Sequence, residues 1–224
     1  MSCDSNVYSD KKMDKCTKEK LAIIILAAGE SKRFGSPKQL ALWEGLPLLQ
    51  RVVDLVIGLG FKPWVALGGH RNSIIRHEKI NLEYCQIVNV DDWSKGLSAS
   101  IKATLGKLIK EQKALQGVIF LLADQPLLGL QELEKLFYVV DEDSTQIICS
   151  EYLLNGRASV GVPAYFPQQY FESLMLLEGD KGAKQVIQEN QYKAVPMNKR
   201  LYDIDTPEDL LKLEGRCSEK VPNK

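Results

Sequence analysis

The chain has 224 residues, 45% of them hydrophobic and 26% charged, with 29 Lys and Arg balanced by 29 Asp and Glu. That profile fits a globular protein able to bury its own core, and the zero net charge lacks the basic excess of a nucleic-acid surface. Five cysteines (Cys3, Cys16, Cys85, Cys149 and Cys217) are odd in number and form no C-x-x-C pair, which argues against a disulfide framework or zinc site and for a reducing compartment, the cytoplasm.

Residues 1–20 are polar and mixed in charge, lack a signal-peptide apolar core, and read as a mobile tail. No apolar run reaches the length of a membrane span. Leu21–Leu26 is a buried-strand pattern ending in a Gly-containing loop, Ala27–Lys38. Leu46–Leu59 has helical spacing and stops at Gly60. Pro63–Leu67 and Tyr84–Val88 read as strands, with a short helix over His70–Lys79 between them. Ser98–Lys110 is an amphipathic helix, Gly117–Leu122 a continuous apolar strand, Leu130–Val140 a helix and Gln146–Cys149 a strand. The second half is less regular: a strand over Val160–Tyr165, helices over Gln168–Leu177 and Lys181–Glu189, a strand over Tyr192–Pro196 and a helix over Pro207–Leu213. Residues 215–224 read as a second tail. With no repeat and no low-complexity linker, residues 21–214 are expected to form a single domain. Strands alternating with helices predict an α/β fold whose parallel sheet is covered on both faces. In such folds ligands bind beyond the carboxyl ends of the strands.

Three segments at such positions carry chemistry. The first is Leu26-Ala27-Ala28-Gly29-Glu30-Ser31-Lys32-Arg33-Phe34-Gly35-Ser36-Pro37-Lys38. Five residues separate Gly29 from Gly35, so it is not a Walker A loop, and Ser31 breaks the dinucleotide pattern. Small residues still allow backbone N–H groups close to an anion, and Arg33 and Lys38 supply charge for a polyphosphate. On spacing alone, that cradle and a plain Gly-rich turn with solvated cations stay equally open. The second is Asp124, directly after the strand Gly117–Leu122. It reads either as a metal ligand, shared with substrate phosphates, or as a turn-capping residue before Pro126. The third is Asp203-Ile204-Asp205-Thr206-Pro207-Glu208-Asp209. Thr206, Pro207 and Asp209 are accounted for by a capped helix start, which leaves Asp205 as the second metal-ligand candidate. The helix opening at Ser98 could hold an anion on its N–H groups, or be ordinary capping.

Together these segments resemble the nucleotidyltransferases of the molybdenum-cofactor type, the MobA-like NTP transferase family. The first block is similar to the family signature L-A-[AG]-G-x-[GS]-x-R-[MF]-G-x-x-K. Ala123-Asp124-Gln125-Pro126, Asn89 with Trp93-x-x-Gly96, Gly161-x-Pro163, Gly179-Asp180-x-Gly182-Ala183 and Asp203–Asp209 resemble further family blocks in the same order, from about residue 21 to residue 213. The last two point towards the cytidylyltransferase-like branch. The resemblance implies a Rossmann-like three-layer sandwich with a mostly parallel, mixed central sheet. Its N-terminal half would bind the NTP and its C-terminal half the acceptor. It implies nucleotide contacts at Leu26, Ala27, Ala28, Gly29, Ser31, Arg33, Lys38, Gly69, Asn89 and Ser98. Arg33, Lys38 and Asp124 would be catalytic, and Asp124 and Asp205 would hold Mg²⁺. Ala28, where guanylyl-transferring relatives tend to have Gly, leans the donor towards CTP. The implied acceptor is a molybdopterin-type cofactor, and the implied protein partner a molybdoenzyme apoprotein; neither nucleic acid nor membrane is expected. Val162 stands where many cytidylyltransferases have His, and Lys184 where Arg is usual. Both departures lie in the acceptor half, and leave open another phosphorylated acceptor, guanylyl transfer, or a non-catalytic nucleotide-binding or cofactor-chaperone role.

Overall fold

The computed structural model describes residues 18–154, 157–197 and 203–218. In chain order its strands are β1 (Leu21–Ala27), β2 (Leu42–Trp43), β3 (Leu46–Pro47), β4 (Trp64–Leu67), β5 (Gln86–Asn89), β6 (Gly117–Leu122), β7 (Ile147–Leu154), β8 (Arg157–Pro167) and β9 (Tyr192–Pro196). Its helices are α1 (Leu48–Gly58), α2 (Arg71–Ile75), α3 (Leu97–Glu111), α4 (Leu130–Glu142), α5 (Phe171–Met175), α6 (Ala183–Gln188) and α7 (Pro207–Ser218).

Every residue of β1 is buried. Strand alternation sends Leu21, Ile23, Ile25 and Ala27 to one face of the sheet and Ala22, Ile24 and Leu26 to the other. A strand apolar on both faces needs cover on both faces, and the helices supply it. α1 and α4 pack on the first face through Leu49, Val53, Val56, Leu133, Leu136 and Val140. α3, α5 and α6 pack on the second through Ile101, Leu105, Leu108, Leu174, Val186 and Ile187. In α1 the buried positions 48, 49, 52, 53 and 56 follow helical spacing. Gly60, at φ +80°, ends that helix, with its N–H on Ile57 O (2.8 Å) and the Phe61 N–H on Val56 O (3.2 Å). That is the Schellman arrangement, which favours glycine at the left-handed position.

The sheet has seven strands in the order β5-β4-β1-β6-β8-β7-β9. β5, β4, β1 and β6 pair in parallel, β8 is antiparallel to both β6 and β7, and β9 is parallel to β7. The fold is therefore a Rossmann-like three-layer α/β sandwich on a mostly parallel, mixed sheet. Leu26 lies opposite both Ala66 and Leu122, so the carboxyl ends of β1, β4 and β6 are level and their loops open on one edge. A small separate cluster of Trp43, Leu48, Ile204 and Leu213 joins the β2–β3 hairpin, α1 and α7 beside that edge.

The departures from the sequence reading are local. The start of the helix expected over Leu46–Leu59 is instead β3, because Leu46 and Pro47 pair with Trp43 and Leu42. The helix expected over Gln168–Leu177 is a 3₁₀ turn (Gln168–Tyr170) followed by α5. β7 and β8 run longer than expected because they pair with each other as far as Leu154 and Arg157. Of the expected N-terminal tail, Lys18 is anchored, its Nζ donating to Leu59 O (2.9 Å) and lying over the Phe61 ring. Residues 1–17 lie outside the described residues. The expected C-terminal tail begins as helix, since α7 continues to Ser218. Cys149 is buried and free, and its burial pushes the thiol up to about 12. No helix among the described residues is long and apolar enough to cross a membrane.

Candidate active site

The loop after β1 is shaped by one buried side chain. Gln39, 2% exposed, donates from Nε2 to Ala27 O (2.9 Å) and Gly29 O (3.0 Å). Both loop carbonyls are thereby occupied by an interior amide. Ser31 sits at φ +58° and accepts the N–H groups of Phe34 (2.9 Å) and Gly35 (3.2 Å) at its carbonyl. Its Oγ accepts the Lys38 N–H at 3.2 Å, which closes the loop onto the start of the following 3₁₀ turn. Gly29 is exposed, and a Cβ added there meets no protein atom.

This closure aims Lys38 at the end of β6. Its Nζ lies 2.5 Å from Asp124 Oδ2, 3.3 Å from Asp205 Oδ1 and 3.0 Å from Ile204 O. Arg33 Nη2 lies 3.0 Å from the other Asp205 oxygen, Oδ2. The Lys38–Asp124 pair is largely withdrawn from solvent, each side chain about one-sixth exposed, whereas Arg33 is 72% exposed. Burial alone would lower the Lys38 pKa. Attraction to Asp124, the hydrogen bond to it, and then Asp205 outweigh burial, so the pKa is raised and the ammonium stays charged.

Asp205 reaches this point because Ile204, 1% exposed, is held in the cluster with Trp43, Leu48 and Leu213. The Ile204 N–H also donates to Asp124 O at 2.9 Å. The capped helix start read from the sequence is present: the Thr206 N–H bonds Asp209 Oδ2 (2.9 Å) and the Asp209 N–H bonds Thr206 Oγ1 (3.3 Å).

The sequence reading passed over two residues here. Gln125 is 1% exposed and donates to Asp203 Oδ1 (2.9 Å) and Val162 O (3.2 Å). Asp203 keeps some solvent-exposed surface, yet its carboxyl is packed against this cluster. Desolvation first, then repulsion from Asp124, raise its pKa to about 6 against the opposing Gln125 hydrogen bond and Lys38 charge. Gln39 and Gln125 both directly follow or neighbour motif residues. An amide next to a motif, flanked by apolar positions, was the only signal available for them.

These groups line a cleft of about 470 Å³. It brings together Leu26, Ala27, Ala28, Gly29, Ser31, Arg33, Lys38, Asp124 and Asp205 of the residues expected from sequence, and adds Gln39, Trp93, Ser100 and Asp180. It does not include Gly69, which packs under the Trp93 ring. Nor does it include Asn89 and Ser98, which border an adjoining depression with Lys95 and Lys102. The Ser98 N–H is taken by Gly179 O at 3.1 Å, so it is already spent on the loop that carries Asp180. Lys184, in the acceptor half, donates to Ser159 Oγ (3.0 Å).

The donor set fits a hard divalent cation. Asp124 Oδ1 is buried without a hydrogen-bond partner, an expensive state for a carboxylate oxygen unless something else meets it. Among the described residues no group of three or more His, Cys, Asp or Glu is set to hold a metal. Asp124 and Asp205 would therefore share the ion with ligand oxygens, as Mg²⁺ commonly requires.

Comparison with known proteins agrees with this geometry. The MobA-like NTP transferase domain matches residues 23–195. Purine catabolism protein PucB of Bacillus subtilis is 26% identical, with 83% of this chain and 92% of that one covered. A probable molybdenum cofactor guanylyltransferase of Trichormus variabilis is 25% identical, with 91% and 95% covered. The match to the longer bifunctional protein GlmU of Wigglesworthia glossinidia brevipalpis, 28% identical, takes in 54% of this chain and only 26% of that protein. Among solved structures, the Mycobacterium tuberculosis Rv0371c complex with manganese superposes with a TM-score of 0.70 at 25% identity, covering 90% of this chain and all of that one. A phosphate-type loop, a lysine and arginine facing two aspartates at one sheet edge, and a domain match over most of the chain identify this protein as a nucleotidyltransferase of the MobA-like NTP transferase family.

Proposed function

We propose that the chain is a cytoplasmic enzyme that moves a nucleoside monophosphate from an NTP, CTP by preference, to the phosphate of a molybdopterin-type cofactor. The observation that carries this reading is the meeting of Lys38, Arg33, Asp124 and Asp205 at the mouth of the Gly29 loop. Nothing in the protein excludes a side chain at Gly29, so the glycine is best explained by a ligand that approaches the backbone there. Ala28, 2% exposed beside it, supports the lean towards cytosine. The printed name of the Trichormus relative favours guanylyl transfer as a second reading.

In this reaction an acceptor phosphate oxygen attacks the α-phosphorus in line. One P–O bond forms and the bond to the β-phosphate bridging oxygen breaks, releasing pyrophosphate. The nucleophile is already anionic, so no Ser, Cys or His nucleophile is required. Lys38 and Arg33 hold the phosphates and neutralise the charge that builds on the leaving pyrophosphate. Asp124 and Asp205 would hold Mg²⁺, which when bound supplies charge stabilisation to phosphate oxygens. Gln39 keeps the loop in the shape that receives the phosphates.

The test is thermal stability with CTP, GTP, ATP and UTP, each with and without Mg²⁺, in the native chain and in Asp124→Asn. A Mg²⁺-dependent rise in Tm with one nucleotide, reduced in the variant, is the expected result. A rise with GTP alone selects the second reading. No rise with any saturating nucleotide overturns both.

A further inference from the structure

Lys38 spends all its donors inside the protein. An ammonium has three N–H groups, and here three acceptors surround it: Asp124 Oδ2, Asp205 Oδ1 and Ile204 O. Asp205 is engaged on both oxygens, by Lys38 on one and Arg33 on the other. The two groups suited to grip phosphate are thus paired with the two suited to grip a cation. Formal charge over Lys38, Arg33, Asp124 and Asp205 is zero. A bare divalent ion seeking both carboxylates meets an ammonium between them and would leave an uncompensated excess of positive charge in a partly desolvated place. An incoming triphosphate changes this, because its oxygens can take over the N–H groups of Lys38 and Arg33 and so release both carboxylates.

We propose that Lys38, assisted by Arg33, is a charge latch on the cation site: the free chain binds a divalent ion poorly, and binds it well only when a nucleotide phosphate draws Lys38 away. This rests on the nucleotidyl-transfer reading above. The latch is carried mainly by Lys38, since the Arg33 pair is exposed and screened. Asp203, whose carboxyl is packed beside Asp124, adds negative character to the place the ammonium occupies and holds it there. The arrangement keeps a transferase from loading metal without its nucleotide.

The probe is Mn²⁺ alone, followed by electron paramagnetic resonance or calorimetry, and then Mn²⁺ with an αβ-non-hydrolysable analogue of whichever nucleotide raises Tm. The native chain is expected to bind free Mn²⁺ in the millimolar range. Lys38→Met is expected to bind free Mn²⁺ at least tenfold more tightly, because the competing ammonium is gone, while losing affinity for the nucleotide. Lys38→Gln gives the same comparison where Lys38→Met does not fold, and circular dichroism checks both. Unchanged or weaker Mn²⁺ binding in a folded variant overturns the latch. So does micromolar binding of free Mn²⁺ by the native chain, a result that needs no variant. Failure of the functional reading looks different: the native chain then shows no nucleotide binding, with or without Mn²⁺.

Discussion

One wall of the cleft is tied to itself, and the wall facing it is tied to distant parts of the chain. In the wall of residues 26–39, Gln39 and Ser31 hold the loop by hydrogen bonds between residues seven to twelve positions apart. In the wall of residues 203–206, Asp203 is bonded to Gln125, 78 positions away, and Ile204 accepts from Lys38, 166 positions away. The first wall keeps its shape through local chemistry. The second has its shape only while the third apolar cluster holds Ile204. Catalytic charge is split between the two, which makes the site dependent on the complete fold even though half of it is a contiguous motif.

The largest expected effect strikes where the walls meet. Lys38→Ala and Asp124→Ala should each lower kcat by about 10²- to 10³-fold, the usual cost of losing one preorganised charge-stabilising group. Pyrophosphate release under saturating substrate checks this, and near-native kcat in either variant breaks the assignment. Next comes the distant wall. Ile204→Ala removes a fully packed side chain and should cost about 2–5 kcal/mol in urea unfolding, with Asp205 losing its position. If stability falls but nucleotide-dependent Mn²⁺ binding is untouched, the wall does not depend on its anchor. Gln39→Ala tests the local wall. It leaves the Ala27 and Gly29 carbonyls without their buried partner and should cost about 1–3 kcal/mol, together with weaker nucleotide binding seen in the same thermal-shift series. Retained affinity would show that the loop keeps its shape without the amide.

The smallest effect is a slope. The folded-state pKa of Asp203 lies near 6, above its ordinary value of 3.8. Between those values the folded chain holds more protons than the unfolded one, so this group's contribution to stability falls as pH rises from about 4 through about 6. Asp203→Asn should remove that component. Urea unfolding of both chains at several pH values reads the difference, and parallel profiles would mean that Asp203 titrates as an ordinary carboxylate.

The same contrast explains what was legible in the sequence. β1 and β6 could be read because burial on both faces forces unbroken apolar runs, and β6 was placed to the residue. The Arg33–Lys38 loop could be read because a ligand-facing turn must be written in consecutive small and charged residues. Asp205 was reached by elimination, once Thr206, Pro207 and Asp209 were assigned to the helix start. Gln39 and Gln125 were not read, because a buried amide is defined by carbonyls that only the folded chain brings to it. The pairing of Lys38 with both aspartates was not legible either: lysine and aspartate each suggested a ligand, and neither pattern says that they first find each other. In the second half, β8 outran its expected limits because strand pairing with β7, not local apolar pattern, sets its length.

The unbroken sheet has a mechanical consequence. From β5 to β9 each strand is hydrogen-bonded to the next, with antiparallel β8 stitched between β6 and β7. A clamshell motion that swung the two ends towards each other would have to tear strand pairs in its middle. The turnover cycle must therefore be run by the loops at the rim, over a floor that does not hinge. Amide exchange should divide accordingly, with slow exchange running without a gap from β4 to β7 and fast exchange confined to the segments that handle ligand.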